Sequence, residues 1–164
     1  MYKRQTGGTP PAKRHPSRQA YRAMELKRFQ HKLDIALTLK PAFWPFDVSL
    51  SHGIIFALIE EGENPMDFLE ASLTNTWAND QNMADEDFVK SVLTKLNLDT
   101  GYVEKAKALD LASLQKSNFE DAVEANVFGV PSYVWGGEVF WGQDRIELLD
   151  EAISSGRAAF DGNL

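Results

Sequence analysis

Two short runs of β-branched and aromatic residues, Val130 to Trp135 and Glu138 to Trp141, meet at Gly136-Gly137. A Gly-Gly pair between such runs predicts a β-hairpin with a two-residue turn, because the favoured turn needs φ > 0 at its centre. The chain enters the first strand through Val127-Phe128-Gly129-Val130-Pro131, and the second strand runs into Asp144-Arg145-Ile146-Glu147, which opens a helix. Strand, turn, strand and helix form a compact unit with a proline at its mouth. Few other stretches restrict the fold as tightly, since the turn sets the register and the register sets which side chains share a face.

Composition bounds the rest. With 164 residues, 43% of them hydrophobic, the chain can bury one core with a satellite. A net charge of -7 argues against a nucleic-acid or anionic-membrane partner. There is no cysteine, which removes disulfides, cysteine metal sites and any protein-borne thiol chemistry. His15, His31 and His52 lie in different segments without ligand spacing, so no metal site is expected. No apolar run approaches the ~20 residues of a membrane span, and no signal-peptide core stands near the start, so the expectation is a soluble, cytoplasmic protein.

Residues 1–19 hold Lys3, Arg4, Lys13, Arg14 and Arg18 but no acid, around a Gly7-Gly8-Thr9-Pro10-Pro11 loop. They read either as a solvated terminus or as a loop whose Gly and Thr approach an anion. Ser17 is expected to cap a helix reaching Leu33, covered on more than one side because its apolar stripe drifts. Ile35 to Leu39 reads as a short strand. Lys40-Pro41-Ala42-Phe43-Trp44-Pro45 is a rigid aromatic loop bracketed by prolines, either a lid on the core or a pocket edge with Lys40 as its cation. From Asp47 to Asn126 the pattern is helical. Expected inner faces are Ile54, Ile55, Leu58 and Ile59; Met66, Leu69, Leu73 and Trp77; Phe88, Val89, Val92, Leu93 and Leu96; Val103 and Ala106; and Phe119, Ala122 and Val123. The helical block is then an insertion between two parts of one αβ layer.

Standard catalytic constellations are missing: there is no G-x-S-x-G and no phosphate-binding glycine loop. The hairpin and its flanks remain. Val130 offers backbone groups that could pair with an extended peptide. Asp144-x-x-Glu147 has capping-box spacing, so Asp144 reads as a helix cap. The same geometry also reads as a site: backbone N–H groups at a helix start attract a carboxylate, and Gln143 and Asp144 can hold an ammonium and an amide. Such a set suits a small amino-acid-like peptide.

The run from Val127-Phe-Gly-Val-Pro-Ser-Tyr-Val to Phe140-Trp-Gly-Gln-Asp-Arg resembles the C-terminal signature of the 2-hydroxychromene-2-carboxylate isomerases, which group with kappa-class glutathione transferases in the DsbA-like branch of the thioredoxin fold. Other stretches match in order: Gly7-Gly8-Thr9-Pro10-Pro11, Tyr21 to Phe29, Pro41-Ala-Phe-Trp-Pro45 and Trp77-Ala-Asn-Asp. The resemblance implies an α/β, thioredoxin-like domain in two parts, residues 1–46 and 119–164, around an inserted helical domain, residues 47–118. It implies glutathione as cofactor, whose thiolate adds to the chromene so that the ring opens and a bond isomerises. This is the chemistry of aromatic-compound catabolism, and the absence of cysteine agrees with a sulfur brought by the cofactor.

By the same resemblance, Val130 pairs with the cysteinyl unit of glutathione, with Pro131 cis. Trp141, Gly142, Gln143 and Asp144 hold the γ-glutamyl end. Trp77, Phe43 and Trp44 line a pocket for a small aromatic substrate, with Lys40 and Thr9 near the glutathione or the substrate carboxylate. The family's Ser-Pro-Tyr motif, whose serine meets the glutathione sulfur, does not occur in the sequence. The chain therefore resembles a member lacking the first strand and helix, and impaired isomerase activity is the expectation. Family members dimerise, and an open sheet edge favours association. The alternatives are a kappa-class-like transferase or DsbA-like oxidoreductase relative, and a non-catalytic thioredoxin-like module that binds peptides at Val130.

Overall fold

The computed structural model describes residues 7–162, so Lys3 and Arg4 of the basic terminus lie outside it. Contacts divide the chain into two compact units: His15–Leu111, and a second built from both ends of the chain, up to Arg14 and from Ala112 onward.

His15–Leu111 is helical, with α1 (Pro16–Leu33), α2 (Ser49–Glu60), α3 (Met66–Trp77), α4 (Glu86–Lys95) and α5 (Tyr102–Ala108). Ile54, Leu58, Phe68, Met83, Val89, Leu93 and Val103 form its sealed interior. Helices α2 and α5 approach closely because Gly53 has no side chain: a Cβ there would stand 2.9 Å from the Cβ of Ala106 and 3.0 Å from its carbonyl oxygen. Helix α4 is capped by Asp85, whose side chain accepts from the Phe88 N–H at 2.9 Å. Tyr102 donates its hydroxyl to Glu61 at 2.8 Å, and that carboxylate pushes the phenol up to about 12.

Several expectations give way here. Helix α1 starts two residues early, at Pro16, and its cap is His15 rather than Ser17, with His15 Nδ1 accepting from the Ser17 N–H at 3.3 Å. It buries no residue, so it is not covered on more than one side. Residues 35–39 form no strand. Thr38 N–H donates instead to the Trp77 carbonyl at the end of α3, and Gln30 Nε2 donates to the Leu37 carbonyl at 3.4 Å, so helix ends and a side chain serve this backbone in place of a ladder. On α3 the buried residues are Phe68, Ser72 and Thr76, while Met66 and Leu73 stand 57% and 52% exposed. Thr76 tolerates burial because its hydroxyl donates to the Ser72 carbonyl at 2.8 Å. Ile59 on α2 is likewise exposed.

Glu86 joins α4 to α5 by an ion pair with Lys107 and also pairs within α4 with Lys90 at 2.7 Å. Hydrogen bonds from Lys107 and then Lys90 bring its pKa down to about 2. A carboxyl depressed in the folded state stabilises it above the unfolded value of 4.5, and this contribution fades as pH falls toward 2. Glu86→Gln should therefore lower the thermal midpoint at neutral pH and converge with the parent protein near pH 2. Melting curves across pH test this; a gap that persists undiminished at pH 2 contradicts it.

The second unit holds α6 (Leu111–Glu124), β1 (Ser132–Trp135), β2 (Glu138–Trp141) and α7 (Ile146–Ser155). The strands pair antiparallel from Ser132↔Trp141 to Trp135↔Glu138, closed by Gly136 and Gly137 at φ +59° and +89°, as the Gly-Gly pair predicts. Helix α7 packs on the hairpin through Ala152, 1% exposed, and ends at Gly156 in the left-handed conformation. Helix α6 departs from expectation: it buries no residue, and Phe119 and Val123 stay 40% and 37% exposed.

Beyond α7 the chain folds back on β2. Arg157 grips Glu138 with two nitrogens, at 2.8 and 3.1 Å, reaches Glu151 of α7 at 3.3 Å, and lies 4.1 Å over the Phe160 ring. The Phe160 N–H also donates to Glu138 at 3.0 Å. Arg157, then the Phe160 N–H, hold the Glu138 carboxyl below the usual range.

Candidate functional site

The hairpin unit gathers the Val127–Pro131 entry and the Trp141–Asp144 exit side by side. Gly142 N–H donates to the Pro131 carbonyl at 3.0 Å, extending the ladder by one bond past Ser132↔Trp141. The Val130–Pro131 bond is cis. Val130 is 75% exposed, and among the described residues β1 pairs with β2 alone, so its outer edge carries no strand.

Glycines make this convergence feasible. Any Cβ on Gly129 would collide with the Trp141 indole nitrogen. Gly142 adopts φ +115°, a conformation open to glycine, and a Cβ there would stand 2.5 Å from Asp144 Oδ1. The Asp144 carboxylate thus folds back over Gly142. It also pairs with Arg145 Nη1 at 2.7 Å. Trp141 receives the edge of Phe128, with ring centroids 4.8 Å apart and planes at 66°. Ser132 Oγ donates to the Gly129 carbonyl at 2.7 Å, pinning the loop from inside. The result is a half-exposed surface with an indole, a carboxylate, a guanidinium and an unpaired strand edge.

Asp144 is not the helix cap that its spacing suggested. Gln143–Arg145 form a 3-10 turn whose N-cap is Gly142, α7 starts at Ile146, and neither start has a side-chain cap bond. The extra turn displaces Asp144 from the Ncap position, leaving its carboxylate at the surface.

Other predicted residues fall in the helical unit, where the structure joins some and separates others. Trp44 and Trp77 pack with centroids 5.1 Å apart, and Phe46 meets Trp44 edge-on at 5.5 Å. Phe43, 47% exposed, stands outside this stack, and Lys40 is exposed. The loop is held by Ala42 N–H donating to Asp80 Oδ1 at 2.6 Å and by a buried Pro41. Thr9 belongs to the hairpin unit, where its carbonyl accepts from Arg14 Nε at 2.9 Å. Sequence reasoning passed over Phe128, Gly129, Arg145, Phe46 and Asp80. A glycine two residues before a proline that opens a strand was the available signal for the close approach at Trp141.

The sequence profile of the DsbA-like thioredoxin domain matches residues 2–154, nearly the whole chain. The chain belongs to the DsbA-like thioredoxin domain family. The backbone of this DsbA-like chain is similar to a solved structure of 2-hydroxychromene-2-carboxylate isomerase, with a TM-score of 0.76 and 21% sequence identity. The match covers 94% of this chain and 75% of that one, a likeness in fold. None of the curated proteins matches the sequence. In this DsbA-like chain the sheet of the described residues is the β1–β2 hairpin, with helices accounting for most of the remainder, and no helix among them is long and apolar enough to cross a membrane.

Proposed function

We propose that this chain is a cytoplasmic, glutathione-binding protein of the isomerase branch, acting on 2-hydroxychromene-2-carboxylate-type aromatic compounds. The observation that carries the reading is the bond from Gly142 N–H to the Pro131 carbonyl, which holds the peptide-pairing edge at Val130 beside Trp141, Gly142, Gln143 and Asp144. The residues suit the ligand. An open strand edge fits the peptide groups of a tripeptide, and a surface carboxylate fits its ammonium. When bound, glutathione supplies a thiol, which the sequence itself does not contain.

The chain's own residues then bind and orient. Val130 aligns the peptide with the strand edge, while Gln143 and Asp144 fix the γ-glutamyl end and Trp141 excludes water from one side. In the helical unit, Trp77, Trp44 and Phe43 offer aromatic surface to a planar substrate, with Lys40 as a cation for its carboxylate; Thr9, in the hairpin unit, is a further polar candidate.

Titration calorimetry with glutathione tests the reading. Saturable binding is expected, and Asp144→Ala should weaken it about tenfold, the cost of one charge-assisted hydrogen bond. A second reading draws on the open edge of β1, which suits a module that adds a peptide strand without catalysis. Such a module would show no saturable glutathione binding, and that outcome would displace the isomerase reading.

A further inference from the structure

Helix α1 breaks the electrostatic rules of its own element. Its first turn holds no acid and instead carries Arg18, at the end where aligned peptide dipoles favour negative charge. Arg18 and Arg22, and again Arg28 and Lys32, stand four residues apart, a spacing at which like charges weaken a helix. The helix buries no residue that would offset this. Arg28 pairs with Glu25, but the side chains of Arg18, Arg22, Lys27 and Lys32 are exposed and reach no carboxylate among the described residues. Elsewhere Lys90, Lys105, Lys107, Lys116, Arg145 and Arg157 each meet one. Local rules are broken where a function compensates for the cost.

The unpaired charge frames an apolar patch. Arg18, Tyr21, Met24, Arg28 and Lys32 recur at spacings of three and four residues and share a face about 21 Å long. Tyr21 is 56% and Met24 47% exposed. Arg28 lies over both, with its guanidinium 5.8 Å from the Tyr21 ring centroid and Nη2 3.2 Å from Met24 Sδ. On the other side of the helix Leu26 and Phe29 are half-buried.

We propose that this face of α1 is a docking surface for an acidic amphipathic segment of another protein. Its carboxylates meet Arg18 and Lys32, and an aliphatic or aromatic residue between them packs on Tyr21 and Met24. The charge pattern selects this occupant. Pro16–Leu33 holds five of the 17 Lys and Arg residues and one of the 24 Asp and Glu residues, so the helix carries +4 and the remainder of the chain -11, together the net -7. An extended polyanion, whether DNA or an anionic membrane, reaches past α1 and meets the acidic remainder. A short segment fits the helix and ends with it. The surface lies on one element of the helical unit and owes nothing to glutathione.

Fluorescence anisotropy on the full chain reads the docking. The probe is a labelled helical peptide of ~18 residues, with Glu at successive i, i+4 positions and one Leu and one Phe on the same face. Saturable binding is expected at ~0.05 M salt, weakened about tenfold at ~0.3 M, where the Debye length is shorter. The same peptide with Gln in place of Glu should not bind. Lys32→Glu should weaken binding about tenfold, and Arg18→Glu with Lys32→Glu roughly hundredfold. Lys27→Glu makes the same change of charge away from the stripe and should weaken it less than about threefold. Arg18→Glu should also raise the thermal midpoint, since an acid in the first turn favours the helix, so that affinity falls while stability rises. That opposition separates docking from misfolding. No saturable binding of the Glu peptide at low salt, equal binding of the Gln peptide, or equal losses for Lys27→Glu and Lys32→Glu overturns the proposal. Tighter binding of phosphatidylserine vesicles or of single-stranded DNA than of the peptide would assign the face to a membrane or a nucleic acid instead, and a parent dimer that Lys32→Glu dissolves would assign it to a second copy.

Discussion

Phe68→Ala should destabilise the helical unit by about 3–5 kcal/mol, the usual cost of removing a buried aromatic ring from a packed core. Phe68 is completely buried and is the largest of the sealed side chains. It belongs to the buried cluster that includes Ile54, Leu58, Val89 and Leu93, where an alanine would leave a cavity that close-packed neighbours do not readily fill. Leu73→Ala on the same helix should cost less than about 1 kcal/mol, since Leu73 is 52% exposed. The pair decides which face of α3 points inward. Differential scanning calorimetry of the two variants gives the answer, with a midpoint drop near 10 °C expected for Phe68→Ala and little change for Leu73→Ala. A larger drop for Leu73→Ala would reverse the assigned face.

Gly142→Ala should be the most damaging single change at the hairpin exit. It forces an L side chain to φ +115° and drives a methyl group to 2.5 Å from Asp144 Oδ1. The backbone strain alone costs on the order of 1–3 kcal/mol, and the displaced carboxylate should reduce glutathione affinity more than tenfold under the proposed function. The two effects separate in a double variant. Asp144→Ala removes the atom that collides while leaving the strained dihedral in place. If Gly142→Ala costs as much stability with Asp144→Ala present as without it, strain is the whole effect. If the cost falls by half or more, the collision contributes. A Gly142→Ala protein with parental stability and affinity would mean that the segment does not need its present path.

The hairpin was legible because its determinants are local. Gly136-Gly137 requires positive φ at both positions, and the flanking β-branched and aromatic residues do the rest. Helices α2, α4 and α5 were legible for a related reason, since Ile54 and Leu58, Val89 and Leu93, and Val103 and Ala106 keep helical spacing on buried faces. The α3 face was not, because Ser72 and Thr76 occupy interior positions that polarity assigns to solvent, and the bond that reconciles Thr76 with burial is invisible in a linear pattern. Ile35 to Leu39 misled for another reason. Alternating apolar residues describe a strand that has a neighbour, and here Trp77 and Gln30 take the backbone groups a neighbour would have bonded. At the candidate site, sequence located Val130, Pro131 and Trp141 to Asp144 in one unit. It did not foresee that a 3-10 turn would free Asp144 from capping, or that Phe128 and Gly129 would close around Trp141.

A two-glycine loop at the tip of an exposed hairpin is where a protein engineer would place an affinity tag, a reporter domain or a circular-permutation cut. The return of the chain over β2 argues for a different address. Ala159 lies close enough that a Cβ on Gly136 would meet its methyl at 3.3 Å, and the Arg157–Glu138 clamp starts one residue past the turn. Cargo inserted there would have to lift the Arg157 to Phe160 segment from its carboxylate and carry the strain into β2, toward Trp141. The bend at Gly62, where a Cβ would meet no atom within 4 Å, offers a position that leaves this clamp intact.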